Sequence, residues 1–214
     1  LLKCRTVDPV VFLDSKGRAY TVTAGDLPPA RGDGAPASSL VDVQDGARIM
    51  HALAGKADLP VMVASSGGYG FLCKLGDMTS NRKAGREFMT IEASEVPLAP
   101  VVYAESSAKM VAALSAMGRL LVFDVAEMRS VARGRGVIIM GLDPGETMLA
   151  VTLLPGRSVK VLGTGRAGKE RTVDLSGEKF DHYVGRRARM GRVLPDKLKP
   201  IGFPELAAGK DPEK

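Results

Sequence analysis

Two kinds of stretch in this 214-residue chain carry residue types and spacings suited to holding phosphate. The first is "GTGRAGKER" at 163–171, where Gly163, Gly165 and Gly168 fit G-x-G-x-x-G and Gly163–Lys169 fits the opening of a P-loop. Such glycines let backbone N–H groups approach phosphate oxygens, and the helix that follows adds its positive N-terminal end. A P-loop also needs Ser or Thr after the lysine to hold Mg²⁺. Here that place is Glu170, and the following "RTVDLSGEKF" has no apolar stripe at helical spacing. Lacking its strand–turn–helix setting, the match does not make a nucleotide site. The second kind is a recurring arginine corner. "ARGDG", "NRKAG" and "ARGRG" place Arg31, Arg82 and Arg133 three residues before Gly34, Gly85 and Gly136, both series stepping by 51. A looser fourth version, "GRRARMG", sets Arg186, Arg187 and Arg189 before Gly191. Arginine suits phosphate because its planar fork engages two oxygens at once. A neighbouring glycine would let the backbone come close and expose further N–H donors.

The candidate contacts are therefore Arg31, Arg82, Lys83, Arg86, Arg133, Arg135, Arg186, Arg187, Arg189 and Arg192. Lys16, Arg18, Arg119, Arg166, Lys169 and Arg171 follow as second choices. Other chemistry finds little support. His51 and His182 have no ligand-spaced partners, and the acidic residues form no paired cluster for Mg²⁺. Ser65, Ser66, Ser106 and Ser107 lack a nucleophile elbow. Tyr20, Tyr69 and Tyr103 recur with strand-like runs, so packing is their expected role. Cys4 and Cys73 stand apart, which argues against a disulfide framework or zinc site and for buried, reduced thiols in a cytosolic protein. No catalytic site, cofactor site or metal site is expected.

The elements that position the corners also repeat. An apolar run, a tight glycine turn and a second apolar run recur as "VVFLDSKGRAYTV", "VMVASSGGYGFLCKL", "MVAALSAMGRLLVF" and "SVKVLGTGRAGKERTV". Their turn glycines, Gly17, Gly68, Gly118 and Gly168, are spaced 51, 50 and 50 residues apart. Glycine at these tips supplies the positive φ of primed hairpin turns. "GTGRAGKER" is thus the fourth hairpin tip. A third strand-like piece closes each unit: "ARIMHALA", "PVVYAE", "TMLAVTLL" and "KPIGF". Only "AKMVAALSAMG" (108–118) has helical character, and its place in the repeat predicts a strand. Each corner precedes one more apolar segment, "EFMTI" and "VIIMGL" being the clearest. Units of about fifty residues with four short strands predict propeller-like blades. The repeats span 10–60, 61–109, 110–157 and 158–203, making one all-β domain over 1–204 with a solvated tail at 205–214. The opening "LLKCRTV" reads as a lone strand whose partner lies upstream, which leaves an incomplete or five-bladed ring open. "AGDLPPARGDGAPASS" (24–39) reads as a loop.

A 45% hydrophobic fraction supports a folded core, and no apolar stretch reaches the length of a membrane span. The N-terminus lacks the layout of a signal peptide. The net charge of +6 is uneven: residues 157–199 hold 12 Lys/Arg against 5 Asp/Glu, a net of +7, and the rest of the chain sums to −1. Such concentration favours a polyanion through counterion release and steering.

"PVVFLDSKGRAYTV…DLPPARGDG", "SSGGYGFLCKLGDM…NRKAGREFMTI" and "GRLLVFDVAEM…RGRG" resemble the C-terminal domain of the A-type subunit of bacterial DNA topoisomerase IV over roughly residues 1–200. The resemblance implies a β-pinwheel, a propeller relative in which four-stranded blades exchange a strand with their neighbours. It implies a non-catalytic module that binds and bends duplex DNA without sequence preference, presenting segments to a catalytic core for decatenation and supercoil relaxation. The B-type subunit of topoisomerase IV and a second A-type subunit would be its partners in an A2B2 enzyme, with ATP and Mg²⁺ used elsewhere in that assembly. It further implies a cytoplasmic, chromosome-associated protein and allows peripheral contact with the inner membrane face. The sister gyrase domain carries the box Q-R-R-G-G-K-G, which none of the four corners reproduces. That favours bending or partial wrapping. The alternative is a propeller scaffold whose basic rim recognises an acidic protein. Salt-sensitive duplex binding would favour the first reading, and protein capture without DNA affinity the second.

Overall fold

A computed structural model describes residues 4–28, 34–165 and 168–204. Fifteen strands account for nearly all the regular structure of these residues. They are β1 (Pro9–Asp14), β2 (Arg18–Thr23), β3 (Ile49–Ala54), β4 (Pro60–Ala64), β5 (Tyr69–Lys74), β6 (Arg86–Glu87), β7 (Val101–Val102) and β8 (Met110–Ser115). Then come β9 (Arg119–Asp124), β10 (Val137–Ile138), β11 (Met148–Leu154), β12 (Ser158–Thr164), β13 (Glu170–Ser176), β14 (Arg192–Val193) and β15 (Lys199–Gly202). "MVAALS", locally helical in composition, is β8 as its register in the repeat predicts. Its β-sheet partners on both sides override a weak helical propensity.

The strands form four sheets built on antiparallel hairpins, ordered β3-β1-β2-β6, β10-β5-β4-β7, β11-β8-β9-β14 and β13-β12-β15. Each hairpin recurs with the sequence repeat: Leu13 faces Ala19, Ala64 faces Gly70, and Leu114 faces Leu120. In the first three sheets the fourth strand comes from the next repeat, immediately beyond its cationic corner. β6 pairs with β2 through Arg18↔Glu87 and Ala19↔Arg86, and β14 pairs with β9 through Arg192↔Leu120. This is the strand exchange of a pinwheel. The fourth sheet has three strands among the described residues, not four. "EFMTI" and "VIIMGL" supply only two-residue strands, because Phe88, Met89, Ile139 and Met140 turn into the core instead of continuing the ladder.

Two compact units are built this way, one of Leu1–Ser106 with Met128–Val137 and one of Ser107–Glu127 with Ile138–Lys214. In the first, Val11, Leu13 and Ala19 pack with Val61, Val63 and Phe71 of the adjacent sheet. Phe71 and Phe88 meet with ring centroids 5.6 Å apart at a tilt of 58°, an arrangement that adds about 0.5–1.5 kcal/mol to area burial. In the second, Ala112, Leu114, Leu120 and Val122 pack with Val159, Val161 and Leu175. Consecutive residues of β8 and β9 are buried, not alternate ones, so both faces of that sheet are covered. This is why these strands read as unbroken apolar runs.

The hairpin tips depart from the primed two-residue turns that the sequence predicts. β1 and β2, like β8 and β9, are joined by three residues, closed by Gly17 N–H to Asp14 O and Gly118 N–H to Ser115 O, both 3.1 Å. Gly17 has φ 80° and Gly118 φ 81°, which fits the three-residue loop with a left-handed third residue. In the first tip the fully buried Asp14 carboxylate accepts the N–H groups of Lys16 and Arg18 and the hydroxyl of Tyr20, each at 2.9 Å.

Cys4–Val7, the described part of the expected lone strand, is coil and turn. Asp8 organises it by accepting the Arg5 N–H at 2.8 Å and the Arg5 guanidinium at 2.9 Å. Leu1–Lys3 and the tail at 205–214 lie outside the described residues. Of the two thiols only Cys73 is buried, and Cys4 is exposed. No helix of the described residues is long and apolar enough to cross a membrane.

Candidate nucleic-acid interface

"GTGRAGKER" is a hairpin tip. Gly163 and Thr164 close β12, Gly165 N–H bonds Lys169 O at 3.1 Å, and Glu170 opens β13. A Cβ on Gly163 would lie 2.5 Å from Lys199 O, so this glycine serves the pairing of β12 with β15. A strand follows where a phosphate site would need a helix.

The second corner is the best defined. The chain leaves β5 through a short helical turn, α1 (Leu75–Met78), and reaches Thr79–Gly85 before entering β6. Ser80 N–H donates to Thr21 Oγ1 (2.9 Å) and Arg82 N–H to Ser80 Oγ (3.2 Å). Gly85 N–H closes the turn on Arg82 O at 2.8 Å, and Lys83 O accepts from Asp42 N–H at 3.0 Å. Arg82 and Lys83 are exposed, and neither side chain has a hydrogen-bond or ion-pair partner among the described residues. Arg86 behaves differently. It donates through Nη2 to Asp77 O at 2.7 Å, and its Nε is buried without a partner.

The third corner is tied to the segment that follows the second. Gly134 N–H donates to Phe88 O (2.9 Å), and Thr90 N–H donates to Gly134 O (3.0 Å). Arg133 is thereby brought beside Arg18, Arg82 and Arg86 around one open depression of about 650 Å³ that Ser80 and Asn81 also line. A second depression of about 660 Å³, with Lys16 and Met89 on its wall, shares Arg18, Glu87 and Arg133 with the first. Arg133 is exposed and unpaired among the described residues. Arg135 is committed elsewhere. Its Nη2 lies 2.8 Å from Glu95 Oε1 and 3.0 Å from Glu92 Oε1, and its guanidinium sits 4.0 Å from the Tyr69 ring centroid. Burial opposes its charge, but the carboxylates of Glu95 and Glu92 outweigh this and raise its pKa. The sequence treats Arg133 and Arg135 alike; the structure leaves one free and locks the other.

In the second unit, Arg186 and Arg189 are exposed, with no side-chain partner among the described residues. Arg187 donates through Nη1 to Ile138 O at 2.6 Å, its own N–H donates to Glu127 Oε2 at 3.1 Å, and its Nε is buried and unpaired. Arg192 lies in β14 with Nη1 2.9 Å from His182 Nδ1. Arg31 and Arg166 lie outside the described residues. Among the second choices, Lys16 donates to Asp45 O at 2.7 Å. Arg119 pairs with Asp143 and Glu146, Arg171 pairs with Asp196, and Lys169 is exposed. The Asp143 hydrogen bond is the chief cause of a raised Arg119 pKa.

The corner glycines have another purpose than the expected approach to phosphate. A Cβ on Gly85 would stand 2.4 Å from Ala19 O, on Gly136 2.2 Å from Gly70 O, and on Gly191 2.7 Å from Leu120 O. Those three carbonyls occupy the same place in successive hairpins, two residues beyond the tip glycine. Each glycine lets the exchanged strand press against the preceding sheet, so the corner backbone is spent on pairing and its side chains are left for a ligand. Sequence reasoning missed Ser80 and Asn81, whose only signal is that they immediately precede Arg82.

No family model matches the chain. The A-type subunit of DNA topoisomerase 4 from Neisseria gonorrhoeae is 36% identical over 197 residues, which is 89% of this chain and 25% of that protein. The corresponding protein of Escherichia coli K12 is 30% identical over 224 residues, covering 100% of this chain and 29% of its own length. The chain thus spans about a quarter of the length of these relatives. Among solved structures, the E. coli ParC C-terminal domain matches with TM-score 0.80 and 28% identity over 91% of this chain and 80% of that one. The DNA gyrase A C-terminal domain matches with TM-score 0.66 at 16% identity over 92% of this chain and 64% of that one, a likeness of fold.

Proposed function

This chain is a relative of the C-terminal domain of the A-type subunit of DNA topoisomerase IV, and from that premise we propose that it is a non-catalytic module that binds and bends duplex DNA. The observation that carries the proposal is a set of three exposed cations with no internal partner among the described residues: Arg82 and Arg133 line one open depression, and Arg82 and Lys83 line another that shares Ser80 and Asn81 with it. Backbone phosphates are the ligand such a surface fits. Forked donors meet paired oxygens, and contacts of this kind fix a duplex in place without reading its sequence. Arg186 and Arg189 extend the same chemistry in the second unit. Smooth bending of 20–30 bp costs on the order of 1–6 kcal/mol, which several phosphate contacts at low salt offset. The module would present DNA segments to a catalytic core formed by the rest of an A2B2 topoisomerase IV, for decatenation and relaxation in the bacterial cytoplasm. Cleavage and ATP use would belong to that core.

The triple reversal Arg82→Glu, Lys83→Glu and Arg133→Glu tests the reading. Gel shift on a 40-bp duplex should show binding at least tenfold weaker, with the slope of log K against log salt reduced by about 2.7, or 0.9 for each phosphate no longer neutralised. Circular dichroism should be unchanged. Wild-type affinity in this variant would refute the assignment.

A further inference from the structure

We infer that Arg18 is a positioning residue, one that clamps the second cationic corner from the neighbouring hairpin and does not itself bind a phosphate. The inference rests on the proposed role of Arg82 and Lys83. Arg18 opens β2 directly after the tip glycine, and its own N–H is fixed on the buried Asp14 carboxylate at 2.9 Å. From there its guanidinium spans two successive carbonyls of the corner, Nε to Ala84 O at 2.6 Å and Nη2 to Gly85 O at 3.3 Å. These two oxygens lie immediately beyond Arg82 and Lys83. On the opposite flank, Arg86 Nη2 holds Asp77 O at 2.7 Å, so the exposed pair is presented by a loop gripped at both ends.

A second repeat also uses this place to touch the next corner, through a ring against a corner side chain and not a guanidinium against corner carbonyls. Tyr69 stands 51 residues after Arg18, and Arg135 stands 51 after Ala84. The Tyr69 ring receives the Arg135 guanidinium at 4.0 Å. In both repeats the first residue of the hairpin's second strand seats one position of the next repeat's corner. A guanidinium can do this to two carbonyls because its donors are fixed in a plane. A lysine ammonium keeps the charge but lacks the fork.

That difference separates positioning from direct contact. Fluorescence anisotropy with a labelled duplex should be compared for the wild-type chain, Arg18→Lys, Arg18→Met, Arg82→Ala/Lys83→Ala, and the last pair combined with Arg18→Lys. A positioning role predicts that Arg18→Lys weakens binding as much as Arg18→Met, by about fivefold when two phosphate contacts are misaligned. It also predicts no further loss when Arg18→Lys is added to Arg82→Ala/Lys83→Ala. Amide exchange at Arg82–Gly85 should accelerate in both Arg18 variants while Val11–Leu13 stay protected. Binding retained by Arg18→Lys, additive losses, or unchanged exchange at the corner would overturn the inference. If Arg82→Ala/Lys83→Ala binds as the wild type does, the phosphate reading of the corner itself fails.

Discussion

Gly34 and Gly85 occupy the same place in successive corners, 51 residues apart, and both have left-handed backbone, with φ 78° and 60°. An alanine would therefore suffer similar torsional strain at either, about 1–2 kcal/mol. Their surroundings differ. A Cβ at Gly34 meets nothing within 4 Å among the described residues, whereas at Gly85 it would stand 2.4 Å from Ala19 O and 2.7 Å from Tyr20 Cδ1. Ala19 and Tyr20 are fully buried, so neither can move aside without disturbing β2. Overpacking of this kind adds about 1–3 kcal/mol. Restricting the unfolded chain returns about 0.4–1 kcal/mol at either position, so Gly85→Ala should cost about 1–4.6 kcal/mol. Gly34→Ala, without the overpacking, should cost about 0–1.6 kcal/mol. Both residues lie in the first unit, so a single urea transition followed by far-ultraviolet circular dichroism reports on each. Equal shifts in midpoint would refute the claim that the exchanged strand, and not the turn alone, demands glycine at position 85.

Two further outcomes follow from charged and titratable groups. Arg135→Met strands the Glu95 carboxylate, whose side chain is only 8% exposed, and should destabilise the first unit by about 2 kcal/mol, less than a fully buried broken pair because the arginine is part-exposed. Its salt dependence of DNA binding should match the wild type, and a reduced slope would show that Arg135 contacts phosphate after all. Burial, helped by Asp77, pushes the Cys73 thiol up from 9.0 to about 12. Below pH 9 both states keep the proton. Above it the unfolded chain ionises first, so stability should fall with rising pH. Cys73→Ala should flatten that fall between pH 9 and 10, before the tyrosines add their own dependence. A thiol reagent should label Cys4 in the folded chain and Cys73 only on unfolding.

The hairpins and their period were legible because the tip glycines and the apolar runs obey local rules. The tip at Gly17 needs a left-handed residue wherever the rest of the fold lies, and "VVFLD" must be buried on both faces to be stable. The exchanged strands were less legible. Two residues such as Arg86–Glu87 leave no periodicity, and only the recurrence of glycine before them hints at a crossing. Corner arginines could be listed but not sorted. Whether a guanidinium is free depends on carboxylates 40 residues away, as for Arg135 and Glu95, or on carbonyls 66 residues away, as for Arg18 and Ala84. Such pairings are set by the packing of neighbouring repeats, and composition carries no trace of them.

Because β6 and β14 complete sheets belonging to the repeats before them, the covalent and the folded modules of this protein are out of phase. A chimera joined at a repeat boundary would inherit a hairpin from one parent and its seam from the other. Consecutive sheets overlap along the chain, so no breakpoint between them preserves both: a cut just after the corner's two-residue strand keeps one sheet whole and divides the next.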